Sequence, residues 1–168
     1  TLLSSFPADC PPTIITQHMP APFLLSFAAR LDAKIRPRTR VAADGDQPAP
    51  GDVFLAPGGA HHLVIDPEGK RLRLVEGPKR SGHRPSVDVL FQSALPQAAR
   101  TIAVILTGMG RDGAEQIRAL RDAGATCLAQ DRESSVVYGM PRVAAELGGV
   151  DHVLPLRQIG PRCLALSR

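Results

Sequence analysis

Tryptophan is absent from this sequence, tyrosine occurs once, and aromatic residues together make up only 4% of the 168 positions. The core must therefore rest on Leu, Val, Ile and Ala, a composition suited to a buried parallel sheet covered by helices. Cysteine is scarce too. Cys10, Cys127 and Cys163 are an odd set without paired spacing, which argues against a disulfide framework or a zinc site and for a reducing compartment. No apolar run approaches the roughly 18 residues that a membrane span needs. No basic-then-apolar signal segment opens the chain. These absences lead to the expectation of a cytoplasmic protein without membrane insertion. The basic residues are scattered and have no aromatic platform beside them, which excludes a nucleic-acid partner. The net charge of +4 serves solubility and at most weakly steers the chain toward an acidic partner.

What is present fits one domain over residues 1–168 with a sizeable core, since 43% of the positions are apolar and 21% charged. Residues 1–6 read as the last turns of a helix, broken by Pro7, Pro11 and Pro12. Thr13–Gln17 is a β-branched strand, and the apolar spacing of Phe23, Leu24, Phe27, Ala28 and Leu31 predicts a helix over 22–33. Val41–Ala43 and Val53–Ala56 read as short strands. Leu63–Asp66 and Arg71–Val75 flank the turn Pro67-Glu68-Gly69-Lys70 and read as an antiparallel hairpin. A helix is predicted over 85–98, a strand over 101–106, a helix over 114–123 and a strand over 125–129. Short helices near 133–138 and 141–147, a strand at 152–154 and a helix at 158–166 complete the chain. Strand–loop–helix repetition predicts an α/β fold with a doubly wound, mostly parallel sheet, flanking helices and a small antiparallel β-hairpin region.

In such a fold, ligands bind beyond the carboxyl ends of the strands. His18 follows the strand at 13–17, and Asp112 lies in the loop after the strand at 101–106. Together they could be the base and orienting carboxylate of a triad. A plainer reading is open for each. Asp112 with Glu115 matches a helix N-terminus, and His18 could be a satisfied, partly buried histidine. His61 and His62 sit at a turn without the further ligands a metal would need. His83 and His152 read as structural and surface residues. Gly108, Gly110 and Gly113 form a Gly-x-Gly-x-x-Gly turn whose dinucleotide reading is weak, because Asp131 and Glu133 follow the next strand only loosely. No serine lies in a Gly-x-Ser-x-Gly elbow. Ser86 is the best remaining nucleophile on spacing, though it reads better as the N-cap region of a helix, and Cys10 has no base at a predictable distance.

Five segments in register change the weighting. They are Ile15-Thr16-Gln17-His18-Met19-Pro20, Ala56-Pro57-Gly58-Gly59-Ala60-His61, the run from His83 to Phe91 (His-Arg-Pro-Ser-Val-Asp-Val-Leu-Phe), the run from Leu106 to Ala114 (Leu-Thr-Gly-Met-Gly-Arg-Asp-Gly-Ala), and Val137-Tyr138-Gly139-Met140-Pro141. In order and spacing they cover nearly the whole chain and resemble the catalytic domain of the chemotaxis protein-glutamate methylesterase family. The resemblance implies hydrolysis of γ-glutamyl methyl esters on chemoreceptor helices, often with deamidation of receptor glutamines, by a Ser-His-Asp triad that needs no metal or organic cofactor. Carried over by motif, His18 is similar to the general base and Asp112 to its orienting acid. Met109 is similar to a residue that lines the oxyanion site through its backbone. The family often carries a receiver domain ahead of this one.

One departure matters. The family's nucleophile lies in a Gly-Ala-Ser-Thr-Gly-Gly-like loop, and the resemblance places that loop ahead of Thr1, so the nucleophile is absent from this chain as read. Ser4 and Ser5 match no part of that motif. The complete polypeptide is expected to contain it, because losing a central strand leaves unpaired edges. The rival readings are a relative that binds receptor or signalling proteins without turnover, and a nucleotide-binding domain built on Gly108–Gly113.

Overall fold

The computed structural model describes residues 1–167. Its strands are β1 (Thr13–Ile15), β2 (Arg38–Val41), β3 (Asp52–Leu55), β4 (His61–Ile65), β5 (Leu72–Glu76), β6 (Ile102–Ile105), β7 (Thr126–Gln130) and β8 (His152–Leu154). The helices are α1 (Ala21–Asp32), α2 (Val87–Ser93), α3 (Ala114–Asp122), α4 (Met140–Glu146) and α5 (Leu156–Leu166). The parallel strands fall into two three-stranded sheets, ordered β1-β3-β2 and β6-β7-β8, and β4 with β5 forms the antiparallel pair. The α/β class and the hairpin are as the sequence predicts.

Burial follows from strand position. The central strand β3 is covered on both faces, with Val53, Phe54 and Leu55 fully buried. Central β7 likewise buries Cys127, Leu128, Ala129 and Gln130. Helix α3 places Ala114, Ile117 and Leu120 on one face, three residues apart, and all three are inaccessible to water. Each large aliphatic side chain buried in this way contributes roughly 1.5–3 kcal/mol.

Several boundaries differ from the sequence expectation, each for a local reason. Strand β2 begins three residues earlier than its short apolar run. Arg38 and Arg40 find Asp52 and Asp46 as partners, and Thr39 between them points inward. The helix predicted over 85–98 stops at Ser93 and tightens into a 3-10 turn over Leu95–Arg100, because Pro96 has no N–H to continue the ladder. No helix forms over 133–138. The Asp131 carboxylate accepts the Ser134 N–H at 2.9 Å and offers the backbone a turn instead. The N-terminal segment forms only a single 3-10 turn, Leu2–Ser5, lying against α5.

Candidate active site

Strands β1 and β6 are edge strands of their respective sheets, and the loops beyond their carboxyl ends converge. His18 arrives on the loop after β1 and Asp112 on the loop after β6. The His18 Nε2–H donates to Asp112 Oδ2 at 2.7 Å. The two residues singled out on the sequence are thus brought together across 94 positions. His18 lines an open groove with Met19, Pro20, Lys79, His83 and Arg84. Its Nδ1 makes no hydrogen bond to another described residue.

Asp112 has no exposed surface and uses both oxygens twice. Besides His18, Oδ2 accepts the Val87 N–H at 2.8 Å. Oδ1 accepts the Ser86 hydroxyl at 2.6 Å and the Asp88 N–H at 3.0 Å. Burial by itself pushes this carboxyl up. The hydrogen bonds from His18, Ser86 and the two backbone N–H groups outweigh it and hold the carboxyl below its ordinary value. An ionised, fully satisfied acceptor fixes the His18 proton on Nε2 and leaves the Nδ1 lone pair unprotonated in that tautomer.

The reading of Asp112 as the N-cap of the helix that follows it does not hold. Helix α3 receives no side-chain cap from it, and Gly113 stands at that position. Asp112 instead satisfies the first N–H groups of α2, where a negative charge also suits the helix dipole. Asp88 of α2 returns the arrangement, with Oδ1 accepting the Gln116 N–H of α3 at 3.3 Å. The Asp112 carboxylate thus joins the start of α2 to the loop that leads into α3. Burial pushes the Asp88 carboxyl up and the charge of Asp112 adds to that, against the Ser81 hydroxyl, which pulls it down.

His83, which the sequence reads as structural, lies flat on His18, with ring centroids 3.7 Å apart and planes 8° from parallel. Burial first, and then positive charge on His18, lower its pKa from the ordinary histidine value. Ser86 is buried at 1% exposure and its hydroxyl is spent on Asp112, so it is no nucleophile but a support. Buried His62, of the His61–His62 pair, accepts the Ser86 N–H on Nδ1 at 3.2 Å and donates from Nε2 to the Pro78 carbonyl at 2.9 Å. Its ring is thus a packing element with both nitrogens spoken for. His152 meets Arg162 on the surface. Spacing gave no signal for the parts played by His83, Ser86 and Asp88. All three lie within the single run His83–Asp88, whose roles appear only in three dimensions.

Met109 lies three residues before Asp112 in the loop after β6 and is 81% exposed, and its N–H makes no hydrogen bond to another described residue. The loop is clamped from below. The Gly108 N–H donates to the Val137 carbonyl, the Met140 N–H donates to the Gly108 carbonyl, and Gly139 packs against the Met109 Cα. Gly113 is close-packed on Val87, where an added Cβ would lie 2.5 Å from a methyl group. Gly108 and Gly113 thus serve close packing and Gly110 a positive φ of 91°, and Asp131 is occupied by Ser134. The buried thiols are poor nucleophiles. Burial pushes Cys127 up to about 12 and Cys163 up to about 11, and raises Cys10. No group of three or more His, Cys, Asp or Glu side chains is placed to hold a metal among the described residues, and no helix there is long and apolar enough to cross a membrane.

Comparison with known proteins agrees with this geometry. A family model described as CheB methylesterase matches residues 1–163. A protein-glutamate methylesterase/protein-glutamine glutaminase 1 of Caulobacter vibrioides is 52% identical over 169 residues, covering 99% of this chain and 49% of the relative. A Gluconobacter oxydans protein of the same activity name is 49% identical over 170 residues, covering 98% of this chain and 48% of the relative. The chain thus spans about half the length of the curated relatives it matches. The crystal structure of the Thermotoga maritima CheB methylesterase catalytic domain superposes with a TM-score of 0.93 at 37% identity, covering 98% of this chain and 89% of that one. With the family model and relatives that match nearly all of this chain in agreement, this chain belongs to the CheB methylesterase family.

Proposed function

We propose that this chain is the catalytic domain of a hydrolase acting on γ-glutamyl methyl esters of chemoreceptor helices, and on receptor glutamines by the same route. The observation that carries the reading is the 2.7 Å bond from His18 Nε2 to a fully buried, fourfold hydrogen-bonded Asp112, in a ring that lines an open groove. A binding-only relative would need the carboxylate to cap α2, but not its bond to an imidazole that lines an open groove. The names of the relatives give both reactions, methylesterase and glutaminase.

In this proposal the nucleophile is a serine hydroxyl from the loop that the family resemblance places ahead of Thr1. His18 Nδ1 takes its proton as the oxygen attacks the ester carbonyl. Asp112 holds the imidazolium that forms. The Met109 N–H, together with an N–H beside the nucleophile, receives the oxyanion, each such donor being worth about 3 kcal/mol. His18 returns the proton to the departing methanol, then draws a proton from water as the acyl-enzyme is hydrolysed to the carboxylate. With a glutamine substrate, ammonia leaves in place of methanol. Lys79 and Arg84 give the groove a cationic rim, which suits carboxylate-rich receptor helices.

The test is methanol release from a methylated receptor fragment by the full-length protein. His18→Ala should lower kcat by about 10⁴-fold or more. Turnover within tenfold of the parent would remove His18 from the mechanism.

A further inference from the structure

We propose that His83 is a positioning residue for His18, fixing by flat stacking the plane in which Nδ1 meets the nucleophile. This rests on the hydrolase reading above. A single hydrogen bond from Nε2 to Asp112 holds one point of the His18 ring and leaves the ring free to swing about that line. A parallel ring 3.7 Å away removes the remaining freedom.

His83 suits this task because its backbone, not its ring edge, is anchored. Neither ring nitrogen bonds to another described residue. The backbones of Arg80 and His83 exchange two hydrogen bonds, with the Arg80 N–H on the His83 carbonyl at 3.0 Å and the His83 N–H on the Arg80 carbonyl at 2.9 Å. Between them Ser81 has φ 52° and Gly82 φ 82°, the left-handed pair of a tight turn. Ser81 is the one non-glycine with positive φ among the described residues. Its hydroxyl donates to Asp88 Oδ2 at 3.0 Å, and Asp88 is held by α3. On the other side, Arg84 donates from Nε to the Gly59 carbonyl at 2.8 Å and from Nη1 to the Gly77 carbonyl at 2.7 Å. The presenting turn is therefore fixed at both ends. A left-handed serine, disfavoured by its Cβ, is tolerated for the sake of the geometry.

The ring also suits the charge that His18 acquires. Burial, the charge of His18 and that of Lys79 favour the neutral form of His83, against the pull of Asp112. A neutral aromatic face against an imidazolium is attractive, as in other cation–π pairs.

The experiment compares His83→Ala with His83→Phe in the full-length protein. It reads kcat and KM for methanol release from a synthetic peptide carrying one γ-glutamyl methyl ester, and the NMR signal of the His18 Nε2–H. Loss of the stack should lower kcat by about 10–100-fold in His83→Ala, with KM within about twofold, a cost typical of a misaligned catalytic group. His83→Phe, which keeps the flat contact but no nitrogen, should recover kcat to within about fivefold of the parent. The Nε2–H signal should be sharp in the parent and in His83→Phe, and broadened or lost in His83→Ala. A His83→Phe variant as slow as His83→Ala would show that the nitrogens matter and overturn stacking as the cause, as would an unchanged His83→Ala. The NMR readout needs no substrate. Failure of the hydrolase reading appears instead as full turnover by His18→Ala, with the NMR comparison still deciding the stack.

Discussion

Replacing Asp112 by asparagine tests the site and the fold at once. In a triad whose carboxylate serves only the histidine, this change preserves geometry and costs about 10⁴ in kcat through the wrong tautomer. Here the carboxylate has four donors pointing at it. An asparagine that keeps its oxygen toward Ser86 and Asp88 turns its NH2 toward His18 Nε2 and the Val87 N–H. The histidine can respond by moving its proton to Nδ1, which removes the base. The Val87 N–H cannot respond, and a buried donor then faces a donor. Leaving that N–H unsatisfied costs roughly 1–3 kcal/mol, and breaking a buried charged arrangement on one side costs about 3–5 kcal/mol. We therefore expect Asp112→Asn to lose about 3–5 kcal/mol of stability as well as about 10⁴ in kcat. For a domain of this size that is a fall in Tm of roughly 6–20 °C. Urea unfolding with an unchanged m-value, alongside methanol release, measures both. A variant with parental stability and lost turnover would refute the joint role between α2 and α3. Parental turnover would refute the orienting role.

Further outcomes follow from the same geometry. The folded pKa of Asp112 is lowered, so its contribution to stability is complete above the unfolded carboxylate value of about 4 and is lost as pH falls through the lower folded value. Acid unfolding of Asp112→Asn should accordingly lose part of the parental pH dependence below about 4. Asp88 has the opposite sign: its raised folded pKa favours the neutral form, so its contribution is present below about 4 and is lost as pH rises. Asp88→Asn should be at least as stable as the parent at pH 7, with the difference vanishing near pH 3; a large loss at pH 7 would contradict this. Ser86→Ala removes one hydroxyl from a charged acceptor and should cost about 1.5–3 kcal/mol in denaturant, with His18 still bound to Asp112. In Gly139→Ala the new Cβ would lie 2.6 Å from the Gly108 carbonyl oxygen and 3.1 Å from the Gly110 nitrogen. The displaced Met109 N–H should lower kcat by about 10²-fold, the backbone clash should lower Tm as well, and unchanged kcat would remove Met109 from the oxyanion site.

Much of this protein is determined locally and was legible in its sequence. Apolar periodicity, β-branched runs and turn residues each reflect forces acting within a few residues, and they gave the α/β class, the hairpin and most elements. Strand-end logic placed His18 and Asp112 where ligands bind, but it could not decide between catalysis and capping, and family motifs were needed to favour catalysis. Local reasoning failed where distant partners override propensity. Arg38 and Arg40 belong to a strand because Asp52 and Asp46 await them, and 133–138 is a turn because Asp131 claims Ser134. Only the tertiary structure shows that Asp112 both binds His18 and caps a helix 25 residues earlier, that Ser86 supports it, and that His83 stacks on His18. Hydrogen bonds and ring contacts between residues far apart in the chain leave no periodic trace in it, because the separation is set by how the elements pack and not by the spacing along any one of them.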